Sequence, residues 1–135
     1  MNEYVADTQA MIWFLFASNR LKQGARSALR DAVAGKAKIY PPAVVIAEMI
    51  MIVEKRRIPG AAMAQLVNHL RWMNSQPHYE LLPLDPELVI SSRTLTVIPD
   101  IFDRLIVAEA LRLGLPLVTS DSVIHSSGLV NVIWD

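Results

Sequence analysis

Four carboxylates, Asp7, Glu48, Asp103 and Asp121, are the residues of this chain whose type and placement could do chemistry together. Glu48 is the most telling. If the run PPAVVIAEMIMIVEKRR is a helix opened by Pro41-Pro42, then Val44, Val45, Met51 and Ile52 occupy i−4, i−3, i+3 and i+4 of Glu48, and its own face is apolar. A buried anion without a counter-charge is costly or takes up a proton. No Lys or Arg lies within one turn, so the expected partner is a cation, a hydrogen-bond network or a metal supplied from outside the helix. The other three acids have ordinary roles open to them. Asp100 and Asp103 are spaced as N-cap and N3 of a helix, Asp7 could cap the helix that follows it, and Asp121 could form an Asx turn. Taken with Glu48, they point to one oxygen-ligand site for Mg²⁺ or Mn²⁺, hard cations that favour carboxylates.

The elements that must position these acids alternate in period. Tyr4-Val5-Ala6 reads as a short buried strand, followed by an apolar helix over about 8–16 and an amphipathic one over about 22–34. Lys38-Ile39-Tyr40 reads as a second strand before the Glu48 helix, which should stop at Ile58-Pro59-Gly60. A helix over about 61–73, a turn-rich break over 74–78 and a third strand over 79–82 follow, and Asp85-Pro86 opens a helix to about 94. Asp100 opens a helix ending at Gly114, with a fourth strand over 115–119 and a fifth over 130–134. This alternation predicts one α/β domain over 1–135, a mainly parallel sheet covered by helices on both faces. In such sheets ligands bind beyond the carboxyl ends of the strands, where strand order reverses. Asp7 directly follows the first strand and Asp121 lies just beyond the fourth, so both are expected on that edge.

Composition narrows the classes. The chain has 135 residues and no cysteine, which excludes thiol nucleophiles, CxxC zinc sites and disulfide frameworks and makes a reducing cytoplasm the simplest compartment. Hydrophobic residues make up 53%, yet the apolar run from Ala10 to Ala17 is far below the roughly 20 residues that span a bilayer, and no membrane role is expected. Acidic Glu3 and Asp7 precede that run with no Lys or Arg, the reverse of a signal peptide. Thirteen basic residues balance thirteen acidic ones. If the four acids are sequestered at a metal, the remaining surface is net basic and could hold phosphate, with Lys55-Arg56-Arg57 as its densest patch or simply as the cationic end of a helix.

Three runs, YVADTQAMIWFL, PPAVVIAEMIMIVEKRRI and DIFDRLIVAEALRLGLPLVTSD, carry a resemblance over nearly the whole chain. In order and spacing they resemble PIN-domain proteins, and in particular the VapC-type ribonuclease toxins of prokaryotic toxin–antitoxin pairs. The resemblance implies a three-layer α/β/α sandwich with a five-stranded sheet in order 3-2-1-4-5, Mg²⁺ or Mn²⁺ at the acidic cluster, endonucleolytic cleavage of RNA, and a small antitoxin as partner. It matches Asp7 and Asp103 to the principal metal ligands, Asp121 to the fourth acid after LVT, and Glu48 to the acid of the second motif. Thr8 and Thr119 match small hydroxyl positions that orient those carboxylates. Two departures stand out. Gln9 replaces a common His, and Val45 stands three positions before Glu48 where a polar residue is common, which would loosen Glu48.

His69, His78 and His125 fall outside the three runs and read as surface or turn residues, so no side-chain nucleophile or proton shuttle stands beside the acids. Phosphodiester hydrolysis assisted by a metal fits this inventory, with Asp7, Asp103 and Asp121 as ligands, Glu48 completing the site, Asp100 supporting it, and Arg104 either facing the phosphate or exposed to solvent. Two other classes share these residues: a binding module of the same fold acting on an antitoxin-like partner, and a metal-dependent phosphohydrolase of small phosphate esters. The apolar excess, together with the resemblance, predicts a homodimer through a face around Trp13 and Trp72.

Overall fold

Strand β1 (Asn2–Ala6) carries Val5 and Ala6 fully buried at its carboxyl end, as a strand flanked on both sides must. The computed structural model describes residues 1–135. Helices α1 (Thr8–Leu15) and α2 (Gln23–Val33) lead to β2 (Ala37–Tyr40); α3 (Ala43–Glu54), α4 (Met63–Ser75), α5 (Pro86–Ser92) and α6 (Ile101–Leu113) lead to β3 (Leu117–Val118); α7 (Ser122–Ser127) leads to β4 (Val132–Ile133). The sheet runs β2-β1-β3-β4, all parallel, with Val5 opposite both Tyr40 and Leu117. The crossover from β1 to β2 runs one way across the sheet and those to β3 and β4 the other. Right-handed connections therefore put helices on both faces, and the order reverses between β1 and β3.

The sheet has four strands where five were expected. The segment 79–82 does lie along β2 but touches it only at two bridges, Ile39 with Tyr79 and Pro42 with Leu82. The cause is Pro41. Ile39 exchanges hydrogen bonds with His78 and Glu80, and the next rung would need an N–H from residue 41, which proline lacks. Pairing resumes in the same register, where Leu82 N–H donates to the Pro41 carbonyl and Ala43 N–H to that of Leu82. The second of these bonds satisfies one of the free N–H groups at the start of α3.

One helix end departs from the sequence reading, and one helix lies outside it. Helix α3 stops at Glu54, several residues before Pro59, because Arg56 adopts φ 54° and the Arg56 and Arg57 amides turn back to the Val53 and Ile52 carbonyls, a Schellman closure without glycine. Helix α1 ends the same way, with Ala17 at φ 54° and the Ala17 and Ser18 amides on the Phe14 and Trp13 carbonyls. Helix α7 was not anticipated at all, although its ends are marked by an N-capping Asp121 and by Gly128 at φ 69°. The long helix α6 was, capped by Asp100 on the Phe102 and Asp103 amides and closed by Gly114 at φ 66°.

The core is continuous, with Met11, Ile12, Ile39, Met49, Ile106 and Leu117 among its fully buried members. Two carboxylates are buried, Asp7 at the end of β1 and Glu109. Glu109 of α6 is 2% exposed and pairs with Arg112 at 2.6 Å, and Arg112 reaches Asp85, the N-cap of α5, at 3.1 Å. This relay ties α5 to α6. No helix is long and apolar enough to cross a membrane. Trp13 does not belong to an exposed apolar face, as the sequence suggested, but is half-buried between Trp134 and the Arg20 guanidinium. Trp72 is 40% exposed, but most of the exposed large apolar side chains lie elsewhere, on α5, α6 and their flanks, including Val89, Ile90, Val97, Ile101 and Phe102.

Candidate active site

The chain turns sharply from β1 into α1 at Asp7, and the sheet's switch point puts the end of β3 beside it. Asp7 caps α1 by accepting from the Ala10 amide at 2.9 Å, and its second oxygen accepts from the Thr119 hydroxyl. That hydroxyl also accepts from the Asp121 amide at 3.0 Å, while Asp121 caps α7 through the Ile124 amide at 2.9 Å. Asp103 lies in the first turn of α6, and Glu48 reaches across from the middle of α3. Asp7, Glu48, Asp103 and Asp121 all line a single cavity of about 490 Å³. The capping roles and the shared cavity therefore coexist, because three helix N-termini, those of α1, α6 and α7, surround the same space.

Glu48 is not in an apolar core. It is half-buried, and its i+3 and i+4 neighbours Met51 and Ile52 are walls of the same cavity, with Met51 40% exposed. Its partner is the Thr8 hydroxyl, which donates to Oε1 at 2.7 Å. The hydroxyl that steadies Glu48 thus comes from α1, across forty residues of sequence, and Val45 is buried and plays no part in holding it.

The acids perturb one another. Burial raises Asp7 to a pKa of about 6 despite its bonds from Thr119 and Ala10, with Asp121 and Glu48 adding repulsion. Asp103 goes further, to about 7, through burial and the nearby charges of Asp100, Asp121, Glu48 and Asp7. Glu48 is raised too, by burial and then by Asp100, against the Thr8 hydrogen bond. Asp103 accepts no hydrogen bond through its side chain, which is why nothing offsets these effects. As the side chains stand, no three acidic or histidine groups meet closely enough to ligate one ion. The donor set itself consists only of carboxylate oxygens, which suits a hard divalent cation, and Asp103 is the member least tied to its surroundings.

The matching family model is that of the PIN domain, over residues 4–126. The chain belongs to the PIN domain family. No curated protein matches it. Among solved structures, this PIN domain is similar to VapBC2 from Rickettsia felis bound to a DNA fragment from their promoter, with a TM-score of 0.72 at 18% identity over 98% of this chain and 99% of that one. It is similar also to VapC20 of Mycobacterium tuberculosis, a toxin that cleaves the sarcin–ricin loop, at 0.68 and 14% over 96% and 98%. FitAcB from Neisseria gonorrhoeae gives 0.60 and 20% over 96% and 95%.

Other expected residues of this PIN domain are placed differently. Asp100 does not line the cavity; it caps α6 and acts on the site through its charge. Arg104 neither faces the cavity nor lies free in solvent, because its Nε donates back to the Ile98 carbonyl at 2.5 Å. None of the three histidines lines the cavity. His69 packs edge-on against Phe16, His78 lies half-buried with Nδ1 unpartnered, and His125 is in the last turn of α7. Three cations do line the cavity: Arg20, Lys55 and Arg57. Lys55 and Arg57 come from the basic run, whereas nothing in the sequence near Arg20 marked it for the site.

Proposed function

We propose that this PIN domain is a divalent-metal-dependent endoribonuclease, the toxin of a prokaryotic toxin–antitoxin pair. The observation that carries the reading is the delivery of Asp7, Glu48, Asp103 and Asp121 from four separate segments to one cavity at the carboxyl ends of β1 and β3. The fold shared with VapC20 supports cleavage of RNA, and the fold shared with VapBC2 and FitAcB supports a small antitoxin as partner.

Asp7, Asp103 and Asp121, with Glu48 completing the set, would hold Mg²⁺ or Mn²⁺. A divalent cation there supplies Lewis-acid chemistry, making water a usable nucleophile near neutral pH and offsetting charge on phosphoryl oxygens. The chain's own residues prepare the site. Thr119 and the Ala10 amide engage both oxygens of Asp7 and fix its plane, Thr8 holds Glu48 against α1, and the Thr119 hydroxyl anchors the Asp121 amide. Asp103, whose side chain makes no such bond, would be free to turn toward an ion or a water without breaking a contact.

A divalent-metal assay on single-stranded RNA tests the reading. Wild type is expected to cleave RNA internally in Mg²⁺ or Mn²⁺, and Asp103→Asn, which removes a ligand charge at almost constant volume, is expected to abolish cleavage with the fold intact. Cleavage by the variant near the wild-type rate refutes the site. Hydrolysis of small phosphate esters without cleavage of RNA would favour a phosphohydrolase, and neither activity would favour a binding module.

A further inference from the structure

The cavity that holds the acids does not end at them. A second cavity, about 360 Å³, adjoins it and shares four of its walls, Trp13, Arg20, Arg57 and Ile58, before running on past Phe16 and Gln65. Together they form a groove that starts at the N-terminus of α1, where Asp7 sits, and follows that helix toward the loop carrying Ser18 and Arg20.

Charge along this groove is segregated. Arg20, Lys55 and Arg57 are exposed and none of them forms a salt bridge, although four carboxylates line the same space. The charges that perturb Asp7, Glu48 and Asp103 are all carboxylates. Opposite charges in one cavity that stay unpaired leave both sets open to an outside ligand. Arg20 is also held in place: its guanidinium lies 5.0 Å from the centre of the Trp13 ring, whose indole packs on Trp134 at 5.8 Å. A guanidinium held over a ring in this way keeps N–H groups for an anion and loses less freedom when it binds one. The two loops that carry these cations leave their helices through the two left-handed, non-glycine residues of the chain, Ala17 and Arg56. Such backbone costs free energy, and it turns Arg20 and Arg57 to the same groove.

We infer that Arg20 and Arg57, with Lys55, form a second phosphate subsite that grips the RNA backbone beside the phosphodiester at the acids, so that the protein binds a strand with several consecutive phosphates rather than a single phosphate ester. The inference rests on the ribonuclease reading of the acidic cavity. Recognition there is of backbone charge, which is independent of base sequence.

Fluorescence anisotropy with a labelled twelve-nucleotide single-stranded RNA, measured on full chains carrying Asp103→Asn in Mg²⁺ across a salt series, tests it. Each of Arg20→Gln and Arg57→Gln should weaken binding several-fold and reduce the slope of log affinity against log salt by about 0.7, the value for one lost contact to a single strand. Arg56→Gln, which removes an equal charge outside the groove, should leave both unchanged. Neither arginine forms a salt bridge, so Arg57→Gln should keep the parent melting temperature, while Arg20→Gln, which gives up its place over Trp13, should lower it only slightly. Slopes and affinities equal to the parent in both groove variants, or an equal loss in Arg56→Gln, overturn the subsite while leaving the acidic site standing on its own cleavage assay. No binding of the oligonucleotide at low salt overturns the subsite and the ribonuclease reading together. Tight binding of polyglutamate in place of RNA would reassign the groove to an acidic peptide.

Discussion

Asp103→Asn should stabilise the metal-free protein, and by an amount that depends on pH. Asp103 is raised from 3.8 to about 7. Between those values the folded state keeps a proton that the unfolded state has released, so stability is full below about pH 4, falls as pH rises, and is lowest above about pH 7. Three units correspond to about 4 kcal/mol as a ceiling. The carboxyl is only half-buried and coupled to three other acids in the cavity, so solvent screening reduces the realistic penalty to about 1–2 kcal/mol. Asparagine has the same shape, carries no charge and forfeits no side-chain hydrogen bond, since Asp103 accepts none. In a domain of this size its advantage above pH 7 is a rise of roughly 3–8 °C in melting temperature, shrinking to nothing near pH 4. Asp7, raised to about 6, titrates in both proteins, so the variant keeps a smaller decline over a lower range. Thermal melts by circular dichroism in EDTA from pH 4 to 8 measure this directly. Millimolar Mg²⁺ should then raise the melting temperature of wild type and move the variant much less. A variant destabilised at every pH would refute the reasoning, because an ordinary first-turn aspartate helps its helix dipole and loses that help on becoming Asn.

The α5–α6 relay makes a contrasting prediction. Arg112→Ala removes the partner of Glu109 and, because Arg112 is itself exposed, should cost about 1–2 kcal/mol by denaturant melts, with much of it restored by adding Glu109→Gln; additive losses would show the pair is not coupled. At the left-handed C′ position of α3, Arg56→Gly should raise stability by up to about 1 kcal/mol in the same assay, relief of backbone strain outweighing glycine's added chain entropy. The exposed apolar side chains around Val89, Ile90, Val97, Ile101 and Phe102 are expected to be covered by a second copy, so light scattering at micromolar concentration should give twice the 15.1 kDa chain mass. Ile90→Asp should then yield the monomer, and an unchanged mass would place the interface elsewhere.

The features legible in the chain's residues are local. The step from a buried strand into Asp7, the Asp100 and Gly114 bounds of α6, and the acids waiting at strand ends all follow from spacings of a few residues, where propensity, caps and alternation act. The order of the strands did not follow from spacing; it was implied only by the resemblance to PIN domains, and the observed β2-β1-β3-β4 agrees with it. The failures share a cause. Helix α7 is too short to show an apolar period, and α3 ends at a left-handed arginine that no residue preference would select. Only tertiary structure decided that Pro41 would meet Glu80 and interrupt the outer ladder, that Thr8 rather than a residue on α3 would hold Glu48, and that Arg20 would lie on Trp13 at the rim of the acids. Each of these joins side chains or backbone groups from segments distant along the chain, and their meeting is set by how helices pack on the sheet. The same holds for Glu48, whose face the sequence correctly showed to be apolar but could not show to be a cavity wall, because a helical period tells which residues share a face and not what the face looks onto.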